Sequence, residues 1–183
     1  PHLYLTFKIH KLPLKTRPIV SVSGSLLHAL GRWVDIQLQP LVRRLPSFIA
    51  SSTELKQCFD RLPPLPSHAR LFMCDAVSMY TNIDTDHALE TIGHFLRTNK
   101  LARGLPAKAI FSALDLIMRS NIFKLGDTFW NQLSGTAMGP PPACVYSTLY
   151  FALHELATPT HLQRCLALYK RYIDDGIGSW SGP

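Results

Sequence analysis

The stretch YKRYIDDGIGSW, residues 169–180, places two adjacent carboxylates, Asp174 and Asp175, between short apolar runs. The runs 165–173 and 176–180 predict a β-hairpin with the acids at its tip. Because Asp and Gly favour tight turns, one interpretation is a solvated turn. The alternative is a tip that holds a divalent cation, since hard cations take carboxylate oxygens and cancel their mutual repulsion. A metal site for phosphoryl transfer usually needs a further carboxylate from elsewhere in the chain.

Asp75 is the candidate for that third carboxylate, because it ends the apolar, strand-like run RLFMCD, residues 70–75. If this strand lies beside the 169–180 hairpin, the three acids can converge on two metal ions roughly 3.5–4 Å apart. Asp75 could equally cap the segment that follows it. Tyr80, five positions further on, is either a core residue or a ring that packs under a nucleotide sugar and excludes a 2′-hydroxyl by steric clash.

The charge of the chain is concentrated near its start. The sequence has 183 residues, 46% of them hydrophobic, and a formal charge of +7. Residues 1–50 hold seven Lys or Arg against one acid, whereas residues 51–183 hold twelve against eleven. A basic face of this kind is either simply solvated or a surface for phosphates. No apolar run reaches the ~18 residues of a membrane span, so no membrane association is expected.

The four cysteines show no zinc-ligand spacing and stand among apolar neighbours. They predict buried, reduced thiols and an intracellular protein.

The apolar periodicity predicts a helix over 25–45 that breaks or kinks at Pro40. Strands and helices mix without a steady βαβ alternation, which favours an α+β fold. The other predicted elements are strands at 3–9 and 17–24, helices at 52–62, 84–99, 106–121 and 144–156, a breaker-rich loop at 63–69 and a hairpin at 122–130 around Gly126-Asp127.

Four motifs stand in a fixed order along the chain. DAVSMYTNI (75–83), NQLSGTAMGPPPA (131–143) and YKRYIDDGIGSW (169–180) resemble motifs A, B and C of a reverse transcriptase palm, and FKIHKLPLKTRPIVS (7–21) resembles its fingers motif. In detail, these four motifs are similar to those of one group, the reverse transcriptases of Penelope-like elements, which are related to telomerase. The resemblance spans residues 7–180, and the four motifs together are far more specific than YIDD alone.

The resemblance implies a right-hand polymerase: a fingers-like basic segment over 1–66, and a palm over 67–183 whose antiparallel sheet packs on helices. It implies a fragment without thumb or endonuclease domain. The implied activity is that of a retroelement RNA-directed DNA polymerase in the nucleus. The implied partners are an RNA template, a DNA primer and deoxynucleotides, with two Mg²⁺ ions as cofactors and Mn²⁺ as the alternative. Two rivals stay open: an RNA-dependent RNA polymerase palm, and a fragment or degenerate copy that binds nucleic acid without catalysis.

The resemblance also assigns residues. Asp75, Asp174 and Asp175 match the catalytic metal ligands, and Tyr80 matches the sugar-sensing aromatic. Arg17 matches the fingers arginine that contacts the incoming triphosphate, with Lys11 as a candidate helper. Motif B contributes small residues that let the backbone approach nucleotide and template; its matches are Gln132, Gly135, Met138 and Gly139.

The chain departs from the family at 140–142, where three prolines stand in place of the usual Ser-Pro and remove backbone donors. Glu155, after motif B, is expected in a structural hydrogen bond or ion pair.

Overall fold

The computed structural model describes residues 1–9 and 12–182. Within these residues the chain forms a mixed α+β fold of two sheets and several helices, as the sequence predicts. The strands are β1 (His2–Lys8), β2 (Lys15–Ser21), β3 (Arg70–Asp75), β4 (Ile122–Leu125), β5 (Thr128–Asn131), β6 (Leu166–Tyr172) and β7 (Asp175–Trp180). The helices are α1 (Leu27–Val42), α2 (Ser52–Asp60), α3 (Thr85–Thr98), α4 (Ala107–Arg119), α5 (Ala143–Leu156) and α6 (Thr160–Gln163), with a 3₁₀ turn at Lys100–Ala102.

The first sheet carries the paired acids. Its three antiparallel strands are ordered β3-β7-β6, so that β3 lies directly against the second strand of the β6–β7 hairpin. The strand predicted at 70–75 is confirmed at both ends. Gly176 and Gly178 lie where added side chains would meet Cys74, Tyr169 and the Phe72 ring. The glycines therefore leave room for Phe72 and Tyr169 to stack across β7, with ring centroids 6.4 Å apart.

The second sheet has the order β2-β1-β4-β5. β1 and β2 pair along their whole length, and β1 meets β4 in parallel through His2 and Lys124. The predicted hairpin at 122–130 is confirmed, with Gly126 at φ +61° in its turn. This hairpin comes from the segment expected to be palm, yet it extends the sheet built by the first strands of the chain.

The core lies among α1, α3, α4 and α5, whose apolar faces interlock. Fully buried side chains such as Leu38, Ile92, Leu114 and Leu149 meet there. Of the predicted break or kink at Pro40, the break is wrong, because α1 continues to Val42. Pro40 lies in the last turn, where its missing N–H removes only one helical hydrogen bond shortly before the helix ends.

The four cysteines are free, but the prediction that they are buried is wrong: Cys74 and Cys144 are exposed, and Cys58 and Cys165 are half-buried. Cys74 is exposed because it lies on β3, an edge strand whose residues are mostly open to solvent. Among the described helices, none is both long and apolar enough to cross a bilayer.

Candidate active site

The sheet brings the three acids together through backbone pairing. Asp75 is the last residue of β3 and Asp175 is the first of β7, and the two are direct register partners. Residues opposed in an antiparallel pair present their side chains on the same face, with Cβ atoms about 4.5–5.5 Å apart. Asp174 lies in the turn before β7, and its carbonyl oxygen accepts a 2.9 Å hydrogen bond from the Ala76 N–H. The strand at 70–75 thus lies beside the hairpin, which is the condition under which the acids are expected to converge.

The carboxylates of this cluster carry charge without a positive partner. Asp75, Asp174 and Asp175 are all exposed, and none forms a hydrogen bond through its carboxylate or an ion pair with a residue in 1–9 or 12–182. Neighbouring like charges repel, so this cluster favours a bound cation. The strands that flank the turn are partly buried, whereas the acids themselves face solvent.

The donor chemistry fits Mg²⁺ or Mn²⁺, which take carboxylate oxygens. As the side chains stand, no group of three or more His, Cys, Asp or Glu in the described part of the chain is arranged to hold a metal ion. Mg²⁺ is commonly bound by one or two protein carboxylates, with waters and substrate phosphates completing its shell. The residues therefore fit a metal shared with a nucleotide better than a metal held by the protein alone. The roles of the three acids as metal ligands stay a prediction.

The turn that presents Asp174 has an unusual backbone. Ile173 and Asp174 connect β6 to β7, and Ile173 has φ +56°. A β-branched side chain rarely adopts this left-handed conformation. The sequence placed both acids at the tip of the hairpin, whereas in the structure the turn is Ile173-Asp174 and Asp175 already belongs to β7.

Tyr80 lies close to the acids. Its side chain is half-buried. Burial is the main factor that raises its pKa well above the usual value, and contact with the Cys144 thiol and the negative charge of Asp174 raise it further. The Tyr80 side chain is therefore a neutral phenol within electrostatic reach of Asp174. This position suits a group that senses a nucleotide sugar, and that role stays a prediction.

The glycines of motif B dock its loop on other parts of the chain. Gly135 has φ +74°, and a Cβ there would lie 2.9 Å from the Thr81 backbone. Gly139 has φ +144°, and a Cβ there would overlap the carbonyl oxygen of Val20 on β2. Two backbone hydrogen bonds fix the same contacts, from the Thr136 N–H to the Tyr80 carbonyl (2.6 Å) and from the Val20 N–H to the Met138 carbonyl (2.8 Å). The loop thus joins the motif A segment to β2, while its contact with nucleotide or template stays a prediction.

Gln132 braces the start of the same loop. Its side-chain oxygen accepts a hydrogen bond from the Asn121 amide (2.6 Å), and its side-chain nitrogen donates to the Ser134 carbonyl (2.9 Å). Together with Met138, Val20 and Thr81 it lines a cavity of about 220 Å³ between motif B and the β1–β2 strands. The structure thus gives Gln132 a role within the chain.

The predicted phosphate contacts come from the other sheet. Arg17 lies on β2 and is exposed, and its side chain makes no ion pair or hydrogen bond within the described ranges. The β1–β2 register pairs Lys8 with Lys15 and Thr6 with Arg17, which places Lys8, Lys15 and Arg17 on one face of the two strands. Lys11 lies outside the described residues. The role of Arg17 in binding triphosphate stays a prediction.

Sequence reasoning missed one residue beside this site. Arg171, three positions before Asp174, is almost completely buried and pairs with Glu155. This confirms the expected ion pair of Glu155, but its partner was not foreseen. The signal was available in the alternation of β6, because Arg171 shares a face with Tyr169, and the pattern therefore points its charge into the interior.

No protein-family model matches this sequence, and no curated protein matches it. Solved structures of telomerase have the same fold. Apo telomerase from Candida tropicalis truncated from its C-terminal domain matches with a TM-score of 0.64 and 12% identity, over 99% of this chain and 43% of that one. Telomerase from Candida albicans in complex with the TWJ fragment of telomeric RNA matches with a TM-score of 0.63 and 10% identity, over 100% of this chain and 38% of that one. The chain thus spans about two fifths of the length of these telomerases and resembles them in fold.

Proposed function

We propose that the chain is the fingers and palm of a reverse transcriptase of the Penelope-like kind, which extends a DNA primer along an RNA template. The observation that carries the proposal is the register pairing of Asp75 with Asp175. It joins motif A to motif C at one edge of a sheet, within a fold shared with telomerase. Some of the telomerase structures contain RNA, which supports RNA as a partner of this chain.

In this proposal each element contributes one function. Asp75, Asp174 and Asp175 would hold the metal ions, and Mg²⁺ or Mn²⁺ bound there would supply Lewis-acid stabilisation of the primer 3′-hydroxyl and of the leaving pyrophosphate. Tyr80 accepts a deoxyribose and excludes the 2′-hydroxyl. The basic face of β1 and β2 attracts phosphates, with Arg17 gripping the triphosphate through its planar guanidinium. Such an enzyme acts on its nucleic acids inside the cell, in the nucleus.

Template-directed addition of one nucleotide tests this function. A labelled DNA primer annealed to an RNA template is incubated with the 183-residue chain, Mg²⁺ and each deoxynucleotide in turn. We expect addition of the complementary deoxynucleotide only, and loss of addition when the metal is chelated. Asp75→Asn should abolish addition, because the neutral amide replaces a metal-binding carboxylate. Asp60→Asn is the matched control, since Asp60 is an exposed acid of α2 whose carboxylate pairs with Lys56.

Each rival predicts another result. An RNA polymerase would add ribonucleotides at least as well as deoxynucleotides. A non-catalytic module would bind the primer–template without adding anything, and that result would contradict the proposed reaction.

A further inference from the structure

A buried ion pair lies directly behind the turn that presents Asp174. Arg171 is only 4% exposed and the Glu155 side chain 20%. The guanidinium of Arg171 donates to both carboxylate oxygens of Glu155, at 2.5 Å from Nε and 3.3 Å from Nη2. The guanidinium carbon also lies 5.6 Å from the centroid of the Phe151 ring. The guanidinium and the carboxylate therefore form a bidentate pair, with two N–H···O hydrogen bonds between planar groups.

The Arg171 side chain also binds two backbone carbonyls. Its Nη1 donates to the Ile173 carbonyl at 2.6 Å, and its Nη2 donates to the Thr148 carbonyl of α5 at 3.0 Å. The first of these bonds reaches the residue with φ +56°, immediately before Asp174. One guanidinium thus connects α5 to the turn between β6 and β7.

Four further hydrogen bonds connect the pair to the segment after α1 and to Tyr169. The hydroxyls of Ser47 and Tyr169 both donate to Glu155, at 2.5 and 3.1 Å. The Arg171 backbone N–H donates to the Ser47 carbonyl, and the Ile49 N–H donates to the Arg171 carbonyl. The segment after α1, the helix α5 and the hairpin are therefore joined at one point. We call Arg171 and Glu155, with these contacts, the Arg171–Glu155 clamp.

A role in stability alone does not account for the clamp. A buried ion pair is often no more stabilising than apolar side chains of the same volume, because both charges lose their hydration. A left-handed backbone at a β-branched residue persists only where its surroundings impose it. The bond from Arg171 holds the carbonyl of this same left-handed residue, Ile173.

We propose that the Arg171–Glu155 clamp is a positioning device that holds the Ile173-Asp174 turn and so sets the direction of the Asp174 carboxylate. Its consequence for metal binding rests on the proposed function, in which Asp174 is a metal ligand. Neither clamp residue touches a reacting atom, so both act through the turn.

Native-state hydrogen exchange tests the clamp without any metal. The reporter is the Ala76 N–H, because it donates to the Asp174 carbonyl. In the wild type we expect this amide and the Arg171 amide to exchange at similar rates, within about tenfold, since they open together. In Glu155→Gln the Ala76 amide should exchange much faster. Unchanged exchange there would overturn the proposal. If the variant does not fold, a wild-type Ala76 amide more than about 100-fold faster than that of Arg171 would overturn it.

Mn²⁺ titration tests the consequence for Asp174, with paramagnetic broadening of the Ala76 and Asp175 amide signals as the readout. Arg171→Lys and Glu155→Gln should weaken Mn²⁺ binding about 10- to 100-fold, as is typical when a partner that orients a metal ligand is lost. The control is Arg119→Lys, because Arg119 pairs with Asp86 and Asp115 at the surface. We expect no change there.

A second substitution separates positioning from general support. Glycine adopts φ +56° freely, so Ile173→Gly added to Arg171→Lys should recover much of the lost Mn²⁺ affinity. Failure to recover any affinity would contradict an action through the turn. If the wild type and Asp75→Asn bind Mn²⁺ equally weakly, the proposed metal site fails, whereas the exchange measurement still decides the clamp.

Discussion

Among single residues, Tyr80 is linked electrostatically to one of the acids, Asp174. It is half-buried, and Asp174 contributes to its raised pKa after burial and Cys144. A neutral, partly enclosed ring beside a proposed metal ligand can select nucleotides by shape. Its backbone carbonyl also accepts a hydrogen bond from the Thr136 N–H of the motif B loop, so the backbone that carries the ring is tied to that loop.

Tyr80→Ala should therefore raise ribonucleotide incorporation relative to deoxynucleotide incorporation. We expect a change of about tenfold or more, the range in which one group in a pocket alters discrimination. The measurement is the ratio of kcat/KM for the two nucleotides opposite the same template base. Tyr80→Phe is the control, because it keeps the ring and loses only the hydroxyl. Equal discrimination by all three proteins would reduce Tyr80 to a packing residue.

The residues of the site differ in how far the sequence reveals them. Asp75, Asp174 and Asp175 stand out because acids beside apolar runs need an explanation, and backbone pairing does bring them together. Arg171 was not identified, although its place on the same face of β6 as Tyr169 indicates burial. Its partner could not be foreseen, because Glu155 lies 16 positions away on a helix. The left-handed Ile173 was also not foreseen, because propensity gives a β-branched residue no reason to adopt that backbone.

At the scale of elements, the motif B loop joins the two sheets. Gly139 meets the backbone of β2, and Gly135 meets the motif A segment next to β3. Strand and helix positions followed from local patterns, and the strand at 70–75 was predicted to the residue. The pairing of β1 with β4 did not follow, because a single pair of partners 122 positions apart, His2 and Lys124, leaves no local signal in either segment.

Gly139→Ala should destabilise the protein by more than about 2 kcal/mol, the scale of strain at a special backbone position combined with a steric overlap. Gly126→Ala is the matched control. Gly126 also has a positive φ, +61°, but nothing lies within 4 Å of an added Cβ. Gly126→Ala should therefore destabilise the protein only by the cost of a left-handed backbone at a residue with a side chain, about 1–2 kcal/mol. Denaturant unfolding monitored by circular dichroism measures both. Equal costs would mean that the loop does not dock on Val20.

At the scale of the whole molecule, charge is distributed unevenly between the sheets. Lys8, Lys15 and Arg17 share a face of β1 and β2, whereas the acids lie at the edge of the other sheet. A basic face attracts phosphates over a distance, and release of counterions makes such binding dependent on salt. In the proposed enzyme, the face that attracts nucleic acid thus lies on one sheet and the catalytic acids lie on the other.

Replacing Lys8, Lys15 and Arg17 together by Gln should weaken binding of an RNA–DNA primer–template. If each cation contacts a phosphate, the slope of log K against log salt should fall by roughly 0.9 per lost contact. Fluorescence anisotropy of a labelled duplex at several salt concentrations measures this slope. The control replaces three other exposed cations, Lys56, Lys100 and Arg103, by Gln. These replacements lower the net charge by the same amount. The same slope in both triple variants would assign binding to net charge rather than to this face.

The most direct test of the central claim is single-turnover addition of one complementary deoxynucleotide by Asp174→Asn, with chain in excess over an RNA-templated DNA primer. The substitution keeps the size of the side chain and removes its charge. We expect the wild type to add the nucleotide with Mg²⁺ or Mn²⁺, Asp174→Asn to fall to the no-enzyme background, and both proteins to bind the primer–template equally. Addition by Asp174→Asn at the wild-type rate would contradict the claim that Asp75, Asp174 and Asp175 form the catalytic centre.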